Sequence, residues 1–241
     1  MNQTRIDTPH GVIDAELVRP EGSGPWPGVV VIHDVLGVND DLREITRTVA
    51  AAGYLTVAPR LTDGSGPRCL VGLFRDFNRG HGIAFDRITA AREYLKGQAD
   101  CTGRVGVVGF CIGGGFALAT ATDGFDASAP FYGNLPKNPQ EALRGSCPVV
   151  GSFGRRDPSL IGAGDKLATA LAHNDIPHDV KTYPGVGHGF ANHWNAGPMT
   201  PVLRVTGFGY QQGAAEDAWR RVFDFFDTHL RPGTPGPDAE E

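Results

Sequence analysis

Nearly uninterrupted apolar runs are the feature of this sequence that most restricts its fold. The stretches "PGVVVIH", residues 27–33, and "RVGVVGF", residues 104–110, offer almost no polar face, which is typical of strands covered on both sides. Such runs alternate with amphipathic patterns such as "DDLREITRTVAAAG". This alternation predicts parallel strands joined by crossover helices. We therefore expect an α/β fold with a mostly parallel central sheet and helices on both faces.

The same reading divides the chain into one domain and a tail. Further strands are predicted at "YLTVAP", "ASAPFYG", "PVVGSFG" and "HDVKTYPG", and further helices at "FDRITAAREYLKG", "GGFALATA", "DKLATALAHN" and "AEDAWRRVFDFFDTHL". The segment 60–82 is rich in Gly and Arg and predicts no element. We expect a single domain over residues 1–230, followed by a disordered tail over 231–241, which is rich in Pro, Gly and acid.

Charge and cysteine content exclude several classes of partner. The 241 residues carry 22 Lys and Arg against 27 Asp and Glu, a net charge of −5, without the basic run that nucleic acid or a membrane surface would require. No secretory signal or membrane-spanning stretch is recognisable, so we expect a cytoplasmic protein. Four cysteines without a C-x-x-C pair predict free thiols and no disulfide framework.

The stretch "GFCIGGGF", residues 109–116, places Cys111 where a strand pattern changes into a helix of small residues. Glycines on both sides of a residue at such a turn are typical of a nucleophile elbow, which raises one side chain above the sheet. A helix N-terminus there favours the thiolate. The backbone N–H of Ile112 would then form half of an oxyanion hole.

Two alternatives to a nucleophile were weighed for Cys111. A cysteine taken at random is more often a small buried hydrophobe, because free cysteine is among the most buried residue types, but the elbow context favours the nucleophile. A dinucleotide-binding loop requires G-x-G-x-x-G, and Cys111 stands at the place of the second glycine.

A nucleophile requires a base and an acid, which in this topology follow it in chain order after later strands. Asp157 in "GSFGRRDP" and His188 in "YPGVGHGF" occupy such positions. Asp157 before Pro158 could instead be a helix N-cap, and His188 could be a turn residue. The ordered trio favours Cys111, Asp157 and His188 as a catalytic triad. No histidine spacing suggests a metal site.

These motifs resemble those of the dienelactone hydrolase family, which has the α/β-hydrolase fold. The resemblance extends from about Gly11 to Leu230 and rests on "VVVIHDVLGVND", "GYLTVAPRL", "GRVGVVGFCIGGGFAL", "FGRRD" and "YPGVGHGF". It implies that the triad opens the lactone ring of carboxymethylenebutenolide-type compounds without a cofactor. It also implies that Val35 gives the second oxyanion N–H, and that Asp34, in place of the family's usual glutamate, tunes the resting thiol.

The sequence departs from the family where the substrate would bind. Asn192 stands where well-studied members carry an arginine that binds the substrate carboxylate. Arg68, Arg75 and Arg79 are either replacements for that cation or solvated surface residues. The segment 194–213 is longer than the loop usual in the family, and it carries the apolar residues Met199, Val202, Leu203, Val205 and Phe208. These residues either wall the pocket or only pack the loop onto the domain.

We therefore expect a small ester or lactone as the substrate, one less anionic or more apolar than dienelactone itself. Two alternatives stay open. The protein could be an esterase for a different ester, or it could be a non-catalytic member of the fold that binds a ligand or senses oxidants through Cys111. The sequence predicts no oligomeric state.

Overall fold

A computed structural model describes residues 2–64, 66–193 and 208–231 of the chain. Within these ranges eight strands form one sheet in the order β1-β2-β4-β3-β5-β6-β7-β8. The strands are β1 Asn2–Thr8, β2 Gly11–Val18, β3 Trp26–Ile32, β4 Leu55–Pro59, β5 Cys101–Phe110, β6 Ala127–Phe131, β7 Val149–Gly154 and β8 His178–Tyr183. From β4 to β8 neighbouring strands run parallel, whereas β1 and β2 are antiparallel to their neighbours.

The helices of the described ranges pack against this sheet. They are α1 Asp40–Ala51, α2 Pro67–Arg79, α3 Ile83–Lys96, α4 Ile112–Ala119, α5 Pro139–Ala142, α6 Ala163–His173 and α7 Gln212–Leu230. Alternate residues of β3 belong to separate hydrophobic cores: Val29 and Val31 share one with residues of α1 and α7, and Val30 and Ile32 share the other with residues of α3. The prediction of a mostly parallel α/β sheet covered by helices on both faces is therefore confirmed.

Three parts of the fold were not predicted: the hairpin of β1 and β2, helix α2 and the four-residue helix α5. The hairpin of β1 and β2 has one solvated face, so its buried residues Ile6, Ile13, Ala15 and Leu17 are interrupted by polar ones and never form a continuous apolar run. Helix α2 lies in the segment that predicted no element, although Pro67 at its start and Gly80 at its end, with φ of 74°, are ordinary helix boundary signals.

The assignment of residues 1–230 to one domain stays a prediction, and the segments 194–207 and 232–241 lie outside the described residues. Among the described helices, none has both the length and the apolar composition needed to cross a bilayer. All four cysteines are free thiols.

Candidate active site

The turn between β5 and α4 holds Cys111 in a strained backbone conformation, with φ of 56° and ψ of −120°. Close backbone contacts explain the glycines around it. A Cβ on Gly109 would lie 2.0 Å from the carbonyl oxygen of Gly113, and a Cβ on Gly113 would lie 2.4 Å from that of His33. Only glycine fits at either position, so the predicted elbow has a steric basis. Cys111 is half-buried at the N-terminus of α4.

His188 and Asp157 lie next to each other, as their order in the chain predicted. The Nδ1–H of His188 donates to Oδ2 of Asp157 over 2.5 Å, and Asp157 is fully buried. The other carboxylate oxygen accepts the N–H of Ser159 at 2.9 Å and its hydroxyl at 2.6 Å. Helix α6 begins only at Ala163, so Asp157 is not its N-cap.

The pKa of His188 is strongly perturbed by this setting. Burial alone would lower it, but hydrogen bonds to Asp157 and to the side chain of Cys111, together with their charges, raise the pKa to about 9. Burial also acts to raise the pKa of Asp157, and the bonds from His188 and Ser159 outweigh that effect and lower it. The structure thus brings Cys111, His188 and Asp157 together, with His188 in the middle.

Two backbone N–H groups were predicted as oxyanion donors. Ile112 is the first residue of α4, and the N–H groups of a first helical turn have no partner within the helix. Val35 follows β3 in a turn where Asp34 accepts the N–H of Leu36 on its carboxylate, at 2.7 Å, and that of Gly37 on its carbonyl, at 3.2 Å. Neither bond uses the N–H of Val35. The roles of Ile112, Val35 and Asp34 stay predictions.

The buried side chain of His33 holds this turn in place through two hydrogen bonds. Its Nδ1–H donates to the carbonyl of Asp34 at 2.7 Å, and its Nε2 accepts the N–H of Leu61 at 3.2 Å. Burial lowers the pKa of His33, so the ring stays neutral in this donor and acceptor arrangement. A histidine that the sequence analysis left without a role therefore links the turn after β3 to the loop after β4.

Asn192, predicted to face the substrate, belongs to a buried chain of hydrogen bonds. The hydroxyl of Tyr132 donates to Oδ1 of Asn192, whose Nδ2 donates to Asp41 at 2.6 Å. Asp41 also accepts the N–H of His193 at 2.9 Å. The Tyr132 ring lies 5.0 Å from that of His188, centroid to centroid. The chain thus ties the segment after His188 to the first turn of α1.

Charge around Tyr132 adds to the effect of its burial. Desolvation, followed by the negative charges of Asp34, Asp41 and Cys111, holds the pKa of this hydroxyl well above its usual range. Tyr132 therefore stays protonated and acts as a donor. Neither Tyr132 nor Asp41 was proposed from the sequence, because Asp41 contacts a residue 151 positions away along the chain.

The arginines considered as substrate cations lie on α2. Arg68 and Arg79 are exposed, and the half-exposed Arg75 pairs with Asp76 at 3.5 Å. A different cation, Arg60, follows β4 and is half-buried in the wall of a cavity of about 150 Å³ that Val35 and Cys69 also line. The sequence signal for Arg60 was its place directly after a strand in "VAPRL". The substrate-binding roles of Asn192, Arg75 and Arg79 stay predictions.

An aromatic ring lies beside His188, and the site shows no metal-binding cluster among the described residues. Phe208, the described member of the apolar set in 194–213, lies 5.7 Å from the His188 ring, centroid to centroid, while Met199, Val202, Leu203 and Val205 lie outside the described residues. In the described part of the chain, no three His, Cys, Asp or Glu side chains are placed to hold a metal ion.

A mostly parallel sheet with Cys111 on a sharp strand-to-helix turn, and with Asp157 and His188 after later strands, defines an α/β-hydrolase fold. The comparison with protein families then identifies the group. Residues 13–230 match the dienelactone hydrolase family, and the chain belongs to this family of hydrolases.

Individual relatives agree with that assignment. A protein of Saccharolobus solfataricus named "Putative carboxymethylenebutenolidase" is 27% identical over an alignment of 261 positions, gaps included, which covers 91% of this chain and 95% of that protein. The solved structure named "m3DLH" is 26% identical, with a TM-score of 0.80, and covers 95% of this chain and 98% of its own. The "Putative Dienelactone Hydrolase" of Klebsiella pneumoniae has a TM-score of 0.77 at 23% identity, over 93% and 97% of the two chains.

Proposed function

We propose that this protein hydrolyses carboxylic esters and lactones through a thioester on Cys111, with His188 and Asp157 as catalytic partners. The observation that carries the proposal is the position of His188, which is hydrogen-bonded both to the carboxylate of Asp157 and to the Cys111 side chain. Membership of a hydrolase family supports it. A pKa of about 9 makes the imidazole cationic at neutral pH, and a cation beside the sulfur favours the thiolate.

In the acylation step, the Cys111 thiolate attacks the carbonyl carbon of the ester or lactone. The N–H groups of Ile112 and Val35 stabilise the oxyanion that forms. When the tetrahedral intermediate collapses, the carbon–oxygen bond to the alcohol breaks, and the alkoxide takes the proton of His188. The product is a thioester with a neutral imidazole beside it.

In the hydrolysis step, the neutral His188 removes a proton from water as the water oxygen attacks the thioester. Acylation itself prepares this step. The charge of the Cys111 sulfur contributes to the raised pKa of His188, and this charge is absent in the thioester, so acylation lowers the pKa of the imidazole. Collapse releases the acid and restores the thiolate and imidazolium. Asp157 fixes the ring orientation and stabilises its charged form.

Replacement of the nucleophile tests the proposal directly. We expect Cys111→Ala to lower kcat/KM on esters and lactones by roughly 10⁴-fold or more. Cys101→Ala is a matched control, because Cys101 is also half-buried but begins β5, at the opposite end of the strand from Cys111. Intact-mass analysis after mixing with substrate should find an acyl adduct that decays with turnover. Oxidation of Cys111 with no acyl adduct would instead identify a thiol sensor.

The bonding of Asn192 favours a second candidate, an esterase for substrates without a carboxylate. Its amide oxygen and nitrogen are already engaged by Tyr132 and Asp41, and Asp41 brings a negative charge to this side of the site. An anion placed there without a paired cation would lose several kcal/mol on desolvation.

Matched lactones with and without a carboxylate would decide between the two candidates. We expect kcat/KM to be higher for the neutral lactone, because this ratio reports differential binding of the two transition states. A preference for the anionic lactone would contradict this candidate. If Arg60→Gln then abolished that preference, the cation would be Arg60.

A further inference from the structure

A surface groove runs between α2, the loop after β6 and the beginning of α6, and encloses about 470 Å³. We call it the α2–α6 groove. Its apolar walls are Phe74 and Phe77 from α2, Leu135 and Pro136 from the loop, and Leu160 and Ile161 from the segment before α6. Ile161 is 78% exposed and Phe74 is 41% exposed, so both side chains are accessible to a ligand in the groove.

The groove lies beside the site around Cys111. Ser159 lines it and also donates two hydrogen bonds to the carboxylate of Asp157. On the other side, Phe77 lies 2.8 Å from the position that a Cβ of Gly115 would take, and the N–H of Gly115 donates to the carbonyl of Cys111 at 3.1 Å. One wall of the groove therefore packs against α4, the helix whose N-terminus carries Cys111.

We propose that the α2–α6 groove binds the aliphatic chain of the ester on which Cys111 acts, a specificity that rests on the proposed function. A volume of about 470 Å³ lies within the range of small-molecule sites, roughly 300–1,000 Å³. Eight of the twelve residues that line the groove are apolar, and the polar ones are Asn78, Asn134, Ser159 and Lys166. The cavity beside Val35 holds only about 150 Å³ and has Arg60 in its wall. Of these two described cavities, the groove is the one suited to a hydrocarbon chain.

Two series of esters test the groove and identify which side of the ester enters it. One series varies the acyl chain, from p-nitrophenyl acetate to the decanoate, and the other varies the alcohol, from ethyl to decyl acetate. In the series whose chain enters the groove, each added methylene should raise kcat/KM about fourfold, corresponding to ~0.8 kcal/mol per buried CH₂, until the groove is full. The other series should show little dependence on length.

Single substitutions assign that dependence to the groove. Ile161→Ser and Phe74→Ser should lower the ratio of kcat/KM for the long ester to that for the acetate by at least threefold. Val71→Ser is the matched control and should keep the ratio, because Val71 is 66% exposed on the same helix as Phe74 and does not line the groove. Exposed positions of this kind tolerate substitution with little change in stability.

The experiment separates failure of the groove from failure of the proposed function. If acetate hydrolysis were unaffected by Cys111→Ala, the proposed function would be wrong. The groove is then tested by calorimetric titration of Cys111→Ala with methyl decanoate, where Ile161→Ser should weaken binding. Length dependence that survives Ile161→Ser and Phe74→Ser would overturn the groove proposal. So would a wild-type dimer that Ile161→Ser converts to monomers with an unchanged ester ratio, since a second copy would then occupy the groove.

Discussion

At the scale of single residues, the site depends on the two hydrogen bonds of the His188 ring, one to Asp157 and one to the Cys111 side chain. Asp157 and Cys111 both act to raise its pKa, to about 9, against the effect of burial. The imidazolium is required when the alkoxide leaves, so the proposed acylation step should fail once this proton is lost. The same proton is absent in the thioester, where neutral imidazole is required.

We expect kcat/KM for a neutral ester to fall as pH rises through about 9. In Asp157→Asn, loss of the carboxylate charge should lower the pKa of His188 and move this decline to lower pH, with kcat reduced by about 10²–10⁴-fold. A pH series of kcat/KM for both proteins measures the two effects. A decline at the same pH in wild type and variant would contradict the assigned role of Asp157.

The sequence predicted these residues because each lies in the turn or loop after a strand, where chain order and turn chemistry are visible. It could not reveal the chain from Tyr132 through Asn192 to Asp41, since hydrogen bonds between distant segments leave no local pattern. The same holds for His33, whose partners Asp34 and Leu61 lie in two different loops.

At the scale of elements, helix α1 takes part in the site through its N-terminus. Asn39 caps the helix by accepting the N–H of Leu42 at 2.9 Å, and Asp41 in the first turn binds Asn192 and His193. The segment carrying His188 is rich in glycine, so these bonds restrict a loop that would otherwise be free to move. Misplacing a catalytic group by about 1 Å can cost 10²-fold in rate.

Asp41→Ala should therefore lower kcat by about ten- to a hundredfold, with a much smaller change in KM, because the variant disturbs the orientation of His188. Asp40→Ala is the matched control: Asp40 lies in the same helical turn, but its side chain is fully exposed and pairs with Arg43. Steady-state kinetics on one ester is sufficient. Equal losses in both variants would assign the effect to the helix N-terminus and not to the bond with Asn192.

Prediction of the helices and strands succeeded where an apolar run or a helical period stands out in the sequence. The parallel strands β3 to β8 were found from their apolar runs or turn boundaries, and α1, α3, α4, α6 and α7 from their periodicity. The hairpin of β1 and β2 was missed because polar residues interrupt its buried positions. Helix α2 was missed because the Gly and Arg residues of its segment obscure the apolar period, and α5 is too short to show one.

At the scale of the whole molecule, the parallel sheet brings chemistry from distant parts of the chain to one edge. The site residues, which are as far apart in the chain as Asp34 and Asn192, lie close together because β3, β5, β7 and β8 all end at that edge. Helix α7 is held on the outer strands by Arg221, which donates to Asp179, and by Asp217, which accepts from Tyr183 and Lys181. The bonds from Lys181 and Tyr183 hold the pKa of Asp217 below its ordinary value.

These shifts predict how stability depends on pH. Asp217 and Asp157 have lowered pKa values in the folded state, so the stability they contribute is complete above about pH 4 and is lost as pH falls below it. His188 has a raised pKa, so its contribution is complete below about pH 6.5 and is lost as pH rises through about 9. For these groups the free energy of unfolding is therefore highest between about pH 4 and 6.5.

Urea unfolding at a series of pH values measures this profile. Asp217→Asn should flatten the acid side and leave the alkaline side unchanged. His188→Gln should flatten the alkaline side, and it should also reduce the acid-side contribution of Asp157, because it removes the bond and charge that lower the pKa of that carboxyl. If the free energy of unfolding of a variant varied with pH as in the wild type over the range where the replaced group titrates, that group would not contribute to the pH dependence of stability.

The contact of Gly113 with the carbonyl of His33 has a consequence for protein engineering. Because a Cβ at position 113 would lie 2.4 Å from that oxygen, the turn after β3 and the elbow after β5 are fitted to each other. The elbow is also fitted to β6, since a Cβ at position 114 would lie 2.5 Å from the carbonyl oxygen of Phe131. An exchange of residues 33–37 with those of another family member would carry over only half of a matched pair. Chimeras that transfer 33–37 together with 109–115 should keep the spacing between the two segments, as long as Phe131 and Gly133 keep their positions against Gly114.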